Sequence, residues 1–389
     1  MNYLVIENNG LIEPEDLYLI GSSTKRNDDT KIGMFGSGWK FALAWLMRND
    51  CLPHIFSGEK KIDVDFNLVL HRNQPVRVIT IDGKETSLTS EMGMKWTGWM
   101  ALREIISNAI DEGGYSVNTI WDPRQFNGIE NKTTIFIPMN NELANVLRDY
   151  NNYFSFERTV SFENEIGKIF IKQQPSEMVI YRKGIRCYDT TKVTSSDFDF
   201  NEIDINESRL AQSYSVQYAV ADFISNNVPV EIFRHILKDD FINYLPQAPN
   251  ESIIQNLKEL LLLGEIYTCP SLQGIGGIFL VKNPTIMIPN EWYSTLAEMG
   301  LIENPFEKFM DSGAPKNFVR TDNKNIDGIK YYLRGLNLEY DFHVGVFDGN
   351  ITVSKNNVYI NDNVKESDID VAASIVYNSS RSYFLTQMK

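Results

Sequence analysis

The sequence has few cysteines, few histidines and no long apolar run. Its three cysteines, Cys51, Cys187 and Cys269, are odd in number and far apart, which excludes a disulfide framework and favours a reducing, cytoplasmic compartment. Its four histidines are scattered, and neither H-E-x-x-H nor C-x-x-C occurs, so no zinc motif is indicated. No apolar stretch reaches the ~20 residues of a membrane span, and residues 1–10 lack the features of a signal peptide.

Basic residues are also outnumbered, since 37 Lys and Arg face 51 Asp and Glu, giving a formal net charge of −14. A chain with this charge repels nucleic acid, so we do not expect nucleic acid as its main partner. One basic cluster is an exception, on a predicted hairpin formed by Gly167–Gln173 and Met178–Cys187, with Lys183-Gly184 at or near a bend. Its members are Lys168, Lys172, Arg182, Lys183 and Arg186. The preferred interpretation is a solvated strand face.

Length and periodicity predict more than one domain and a mixture of helices and strands. A chain of 389 residues, 43% of them apolar, is long for one core. The predicted helices are Phe41–Arg48, Gly98–Ile110, Glu142–Tyr150, Ser208–Ser225, Val230–Leu237, Ile253–Leu263, Glu291–Met299 and Asp368–Tyr383. Besides the hairpin, the predicted strands are Tyr3–Glu7, Lys61–His71, Val76–Asp82, Tyr115–Trp121, Thr133–Pro138, Tyr340–Phe347 and Val358–Ile360.

Three glycines and a lysine precede or open the first long helix, in the segment Lys31–Lys40. Gly33, Gly36 and Gly38 allow backbone amides to approach an anion closely, and a helix N-terminus favours negative charge. Lys40 adds a positive charge suited to a phosphate. The G-x-x-x-x-G-K-[ST] spacing of a Walker loop is absent, so the segment predicts a phosphate site of another type.

The stretch Leu102–Asp111 carries a polar stripe on a predicted helix. At 3.6 residues per turn, Glu104, Asn108 and Asp111 share one side, and apolar residues cover the opposite side. An amphipathic helix with an ordinary polar face explains the same spacing.

Two other segments are polar and lie between predicted elements. Glu7–Leu17 begins at the end of a strand and contains Asn9 and Leu11, and its simplest interpretation is a strand that runs into a polar turn. Ile20–Thr30 is small, polar and charged without an apolar period, which predicts a loop.

Together these segments resemble the gyrase, heat-shock chaperone, histidine kinase and MutL (GHKL) ATPases, whose fold is built around the Bergerat nucleotide pocket. Lys31–Lys40 resembles their glycine-rich motif, in the form seen in microrchidia ATPases and ninety-kilodalton chaperones. Leu102–Asp111 resembles their E-x-x-x-N-A-x-D helix. Glu7–Leu17 aligns with D-N-G-x-G-I-x-P-E-D-L, with Asn9 and Leu11 at the positions of two glycines. The resemblance covers the first third of the chain.

The resemblance implies ATP and Mg²⁺ as ligands. It implies Glu104 as the general base, Asn108 as the metal ligand and Glu7 as the acceptor for the adenine amino group. The loop would act as a lid that donates to phosphate oxygens from Ser23, Thr24 and Lys25. The other implied nucleotide contacts are Gly33, Gly36, Ser37, Gly38, Lys40 and Asp111.

The motif order differs from that of the family. There the E-x-x-x-N helix comes first, whereas here it follows the adenine, lid and glycine segments, as a circular permutation would produce. We therefore expect an α+β fold with a permuted Bergerat-type two-layer α/β sandwich over residues 1–140. A transducer-like segment with the basic hairpin would follow over 141–200, and a helical and mixed region of unknown role over 201–389.

Two functions remain open from the sequence. One is a slow, magnesium-dependent ATPase that acts as a conformational switch and docks a protein partner or a second copy. The other is a nucleotide-sensing interaction protein, of the kind encoded by phages and mobile elements, that binds ATP without hydrolysis. Glu104 and Lys40 favour the first, and Asn9 and Leu11 favour the second. In a transducer, a basic residue of the hairpin cluster would reach the terminal phosphate.

Overall fold

The chain folds into two compact units. The computed structural model describes residues 2–19, 31–32, 38–113, 115–118, 123–206, 208–239, 241–270, 284–303, 317, 319–321, 341–346, 351–354 and 357–363. Unit 1 comprises Met1–Ser161, Glu177–Val193 and Asp197–Gln212, and unit 2 comprises Phe162–Ser176, Thr194–Ser196 and Ser213–Lys389. The predicted segment 141–200 is thus divided between them. The three-part division remains a prediction about functional organisation.

The centre of unit 1 is an antiparallel sheet of five strands. They are β1 (Tyr3–Asn8), β2 (His54–Ser57), β3 (Lys60–Ile62), β7 (Tyr115–Asn118) and β8 (Thr133–Pro138), numbered in chain order. Their order across the sheet is β3-β2-β8-β1-β7. Strand β8 has the predicted bounds, and β1 extends one residue beyond its prediction.

Helices cover one face of this sheet. They are α1 (Gly38–Arg48), α2 (Gly98–Asp111) and α3 (Asn141–Arg148). Leu4 and Ile6 of β1 share the main apolar core with buried residues of these helices, whereas Val5 packs on the other face with Phe56 and Phe136. This alternation follows from the two-residue period of a strand, and it produces a layer of helices on a sheet. The structure is therefore a mixed α and β fold, consistent with the predicted α+β class.

A three-stranded antiparallel sheet extends from the same core. Its strands are β4 (Val64–His71), β5 (Gln74–Ile81) and β6 (Lys84–Thr89), in the order β4-β5-β6. Ile79, Ile81 and Leu88 join the main core. The predicted strand Lys61–His71 is two strands, and β6 was not predicted.

The predicted basic hairpin is wrong. Strand β10 is Gly167–Glu177, and the second predicted arm forms two short strands, β11 (Ile180–Arg182) and β12 (Ile185–Tyr188). Lys183 and Gly184 have φ values of +49° and +85°, so the chain reverses there and β11 pairs with β12. On its other side β11 runs parallel to part of β13 (Val193–Phe200).

The basic cluster is largely neutralised by acids within its own unit. Arg182 and Lys183 both pair with Glu202, at 3.1 and 3.0 Å, and Arg186 pairs with Asp189 at 3.0 Å. In unit 2, Lys168 lies 3.7 Å from Glu163. Because acids pair with these four residues, they do not form a concentrated positive patch.

Unit 2 combines helices with short strands. Its helices are α4 (Ser213–Ser225), α5 (Val230–Lys238), α6 (Glu251–Leu262) and α7 (Asn290–Glu298). Besides parts of β10 and β13, its strands among the described residues are β9 (Phe162–Glu163), β14 (Tyr267–Thr268), β15 (Ile286–Met287), β16 (Val319–Arg320), β17 (Asp341–Val346), β18 (Ile351–Ser354) and β19 (Asn357–Asn361). Strands β16 to β19 form a sheet in the order β16-β17-β19-β18.

The predicted helices of unit 2 are confirmed with small changes. Helix α4 begins at Ser213 instead of Ser208, because Ile205 and Ala211 form a bridge that closes a turn before it. The predicted helix Asp368–Tyr383 lies outside the described residues. Within the described ranges, no helix is both long and apolar enough to cross a membrane.

Candidate functional site

The start of α1 meets the middle of α2 in unit 1. Gly38 is the first residue of α1, and a Cβ atom added to it would lie 2.0 Å from Oε2 of Glu104. A larger residue would fit opposite this carboxylate only if the Glu104 side chain moved. The structure therefore brings together one predicted residue from each of the two strongest motifs.

Glu104 is held by two arginines. Its side chain is buried (2% exposed). Arg103 Nε donates to Oε1 at 3.0 Å, and an Arg209 guanidinium nitrogen donates to Oε2 at 2.7 Å. Burial lowers the pKa of Arg103, the Glu104 charge opposes that shift, and the Arg209 charge adds to it. The three side chains form a buried cluster with two positive charges and one negative charge.

Arg209 links the cluster to the segment before α1. A second Arg209 nitrogen donates to the carbonyl oxygen of Ile32 at 3.2 Å. The residue has φ of +60°, an uncommon conformation for a side chain of this size. Its backbone N–H donates to Asn206 O at 2.8 Å, which closes the tight turn that carries it. Backbone strain and buried charge thus coincide at one residue.

Neither arginine was among the predicted site residues. Arg103 lies next to Glu104 within the E-x-x-x-N-A-x-D stretch, so its proximity was visible in the sequence. Arg209 lies 105 residues after Glu104 and belongs to no motif. No sequence signal identifies Arg209, because its position depends on how the chain returns to unit 1.

Asn108, the predicted metal ligand, makes a side-chain hydrogen bond within α2. Its Nδ2 atom donates to the carbonyl oxygen of Glu104 one turn earlier, at 2.8 Å. Oδ1 is the remaining acceptor, and it has no hydrogen-bond partner among the described residues. No group of three or more His, Cys, Asp or Glu in the described ranges is placed to hold a metal. The role of Asn108 as a magnesium ligand stays a prediction.

Asp111 and Lys40 hold the backbone of the neighbouring segments. Asp111 Oδ1 accepts from Ile32 N at 2.8 Å, and its carbonyl oxygen accepts from Lys31 Nζ. Lys40 is buried, and its Nζ donates to Asp16 O at 3.0 Å. Burial lowers the pKa of the Lys40 amine, and the Asp16 charge opposes that shift. These bonds fix the two ends of the glycine segment.

Strand alternation separates Glu7 from the helix-covered face. Glu7 lies on the Val5 side of β1, and its carboxylate pairs with Lys132 Nζ at 2.5 Å. The following residue, Asn8, lies on the Ile6 side, towards the helices, and is buried. Asn8 Nδ2 donates to Gly10 O at 3.2 Å, which leaves Oδ1 as its remaining acceptor. The structure does not bring Glu7 together with Glu104, and its adenine role stays a prediction.

The segment that contains Glu7 and Asn8 nevertheless contacts both helix motifs. Asn9 Nδ2 donates to Gly113 O, just beyond α2, at 3.0 Å, and Asp16 accepts from Lys40 of α1 as described above. The adenine, glycine and E-x-x-x-N segments, whose order along the chain differs from that in the family, are thus neighbours in unit 1. Six predicted site residues lie outside the described residues, namely Ser23, Thr24, Lys25, Gly33, Gly36 and Ser37.

The described residues at this place combine one buried carboxylate, two guanidinium groups and the start of a helix. The two guanidinium groups are of the kind that binds phosphate oxygens, and here they donate to Glu104 and to the carbonyl oxygens of Ser208 and Ile32. The start of α1 adds backbone amides and a favourable helix dipole. No protein-family model matches this chain, and no curated protein matches it.

Proposed function

We propose that this chain is a magnesium-dependent ATP-binding protein that hydrolyses ATP slowly and works as a conformational switch. Its pocket would be of the Bergerat type with a circularly permuted motif order. The observation that carries the proposal is the close approach of Gly38 to Glu104. It supports the proposal because a single nucleotide pocket requires the two motifs that separately resemble the family to lie together.

In such a site the described residues would have separate roles. The start of α1 and the two arginines would bind phosphate, and Asn108 would hold a magnesium ion, which would supply positive charge to offset that of the phosphates. Glu104 would take a proton from the attacking water. Because Arg209 donates to Oε2 at 2.7 Å, this carboxylate can act as a base only after that bond has weakened. Turnover would therefore be slow unless nucleotide binding moves Arg209.

Asn8 is the better candidate for base recognition. It lies on the same face of β1 as the helices, and its Oδ1 can accept from the adenine amino group. Glu7 would have to leave Lys132 and act on the opposite face of the sheet. We therefore propose Asn8 as the adenine acceptor in place of Glu7.

A non-hydrolysing nucleotide sensor is the alternative function. The observation that favours it is the pairing of Glu104 with both Arg103 and Arg209 in a buried position. A carboxylate held in this way is a structural anion and not a free base. In this case ATP would bind, and the chain would engage another protein or a second copy without turnover.

Thermal unfolding with and without ATP and magnesium tests the proposal. A ligand that binds only the folded state stabilises it by about 2.7 kcal/mol at a hundredfold excess over its dissociation constant. Asn108→Ala should keep the stabilisation by ATP alone and lose the extra part that magnesium provides. Asn145→Ala, an exposed asparagine in the middle of α3, is the matched control and should keep both.

Phosphate release in the same samples separates the two functions. Glu104→Gln should lower turnover by about 100-fold to 10,000-fold while ATP still stabilises the protein. Stabilisation by ATP with no turnover in the unmodified protein would establish the sensor. The absence of any stabilisation at millimolar ATP would refute both functions.

A further inference from the structure

We propose that two copies of this chain associate through strand β4, paired antiparallel with itself about a twofold axis at Leu68. The proposal does not depend on nucleotide binding. It rests on the exposed edge of β4, on its apolar side chains and on the distribution of charge along it.

Strand β4 is an unusually open edge. It is eight residues long and forms one side of the β4-β5-β6 sheet, and among the described residues only β5 pairs with it. Natural proteins protect such edges with lysine, proline, bulges or short strands. The sequence of β4 contains no lysine or proline, and its register with β5 runs without a bulge from Val64 to His71.

The turn between β4 and β5 determines which backbone groups face outwards. Arg72 and Asn73 form a two-residue turn with φ values of +50° and +63°, so His71 and Gln74 are the hydrogen-bonded pair that closes it. Hydrogen-bonded and non-hydrogen-bonded pairs then alternate along the strand. The N–H and C=O groups of Leu70, Leu68 and Phe66 therefore point to the free edge.

The side chains of these same residues form an apolar stripe that continues past the core. Phe66 packs against the main core, whereas Leu68 is 69% exposed and Leu70 is 75% exposed. Nothing among the described residues covers the two leucines. Pairing about Leu68 places Leu68 opposite its own copy and Phe66 opposite Leu70 of the second copy, so six apolar side chains share one face.

Charge favours a second copy in this register over others. Asp65 would lie opposite His71 of the second copy on the other face of the sheet, in a position to accept a hydrogen bond from its imidazole. In the single chain the Asp65 carboxylate accepts from Phe66 N at 2.8 Å. Pairing would satisfy that N–H with a carbonyl oxygen and release Asp65 for His71. Shifting the twofold axis by one residue removes the Asp65–His71 pair.

The hairpin of β4 and β5 does not carry the excess negative charge that would make two whole chains repel each other. Residues 64–81 carry Arg72 and Arg77 against the single acid Asp65, a local charge of +1 in a chain of −14. Two copies can therefore approach here without bringing concentrated negative charge together.

Sedimentation across a range of protein concentrations tests the proposal with matched variants. Leu68→Lys should raise the dimer dissociation constant by at least about 100-fold, because each copy loses a buried leucine and two positive charges meet at the axis. Gln74→Lys adds the same charge to the same hairpin on β5 and should leave the constant unchanged. Equal thermal unfolding of both variants would show that the hairpin is intact.

Charge exchange tests the register. Asp65→Lys alone and His71→Asp alone should each weaken the dimer, and the double variant should restore it, because each lysine then faces an aspartate of the other copy. A protein that stays monomeric at several hundred micromolar would overturn the proposal. So would a dimer that resists Leu68→Lys, or a double variant no stronger than the single ones.

Discussion

Gly38→Ala tests the contact between the two helix motifs more directly than any other single change. The added Cβ would lie 2.0 Å from Glu104 Oε2, 2.6 Å from Cδ and 2.8 Å from Cγ. Ordinary carbon contacts lie at about 3.5–4.0 Å, so the carboxylate must move by more than an ångström. It cannot do so without stretching its bonds to Arg209 or Arg103.

The magnitude follows from the burial of that ion cluster. Removing one partner of a buried charge pair costs about 3–5 kcal/mol, and Glu104 can keep one of its two arginines, so the loss should be smaller. Replacing glycine by alanine at a compatible position stabilises the folded state by about 0.4–1 kcal/mol, because it restricts the unfolded chain. We expect a net destabilisation of about 1–3 kcal/mol in unit 1.

Urea unfolding followed by tryptophan fluorescence measures this change. Five of the six tryptophans lie within residues 1–161, so the signal reports mainly on unit 1. The matched control is Gly98→Ala, at the first position of α2. There the added Cβ meets Glu142 at 3.1–3.2 Å, and a small adjustment is enough. Gly98→Ala should stay within about 1 kcal/mol of the unmodified protein.

A double-mutant cycle with Glu104 identifies the cause. In a Glu104→Ala background the obstacle is gone, and Gly38→Ala should cost nothing. The coupling should then reach about 1–3 kcal/mol, above the ~0.5 kcal/mol seen for independent sites. If Glu104→Ala proves too unstable to measure, Glu104→Asp withdraws the carboxylate by one methylene and keeps its charge. The same cost for Gly38→Ala in both backgrounds would refute the contact.

Two further predictions concern the base and the buried lysine. Asn8→Ala should reduce the preference for ATP over GTP by about tenfold, because an acceptor facing the guanine carbonyl costs about 1–3 kcal/mol. Glu7→Ala should leave this preference unchanged. Competition binding measures the preference, and the reverse result would make Glu7 the adenine acceptor again. Burial lowers the pKa of Lys40 in the folded state, so the folded protein releases this proton at a lower pH than the unfolded chain does. The free energy of unfolding of the unmodified protein should therefore rise with pH in that range, and Lys40→Met should remove this rise. The difference in unfolding free energy between unmodified protein and variant should be constant below the folded pKa and should rise towards pH 10.5; a flat difference would contradict it.

The sequence predicted local elements well and long-range placement poorly. Helices α1 and α2 and strand β8 follow from periodicity within a few residues, since burial on one face requires it. The choice between Glu7 and Asn8 depends on a single step of strand alternation, which a motif alignment does not resolve. The bend at Lys183 and Gly184 could be predicted from the sequence, but the bend alone does not show that β11 pairs with β12 across it instead of one long arm pairing with β10.

The cluster around Glu104 suggests why binding and hydrolysis would be linked in this protein. Its two arginines and one carboxylate leave one positive charge without a buried counterion in the cluster, and burial makes that charge costly. Phosphate oxygens entering beside the cluster would compete with Glu104 for the Arg209 guanidinium. Each step of Arg209 towards phosphate would weaken the 2.7 Å bond that keeps the carboxylate from acting as a base.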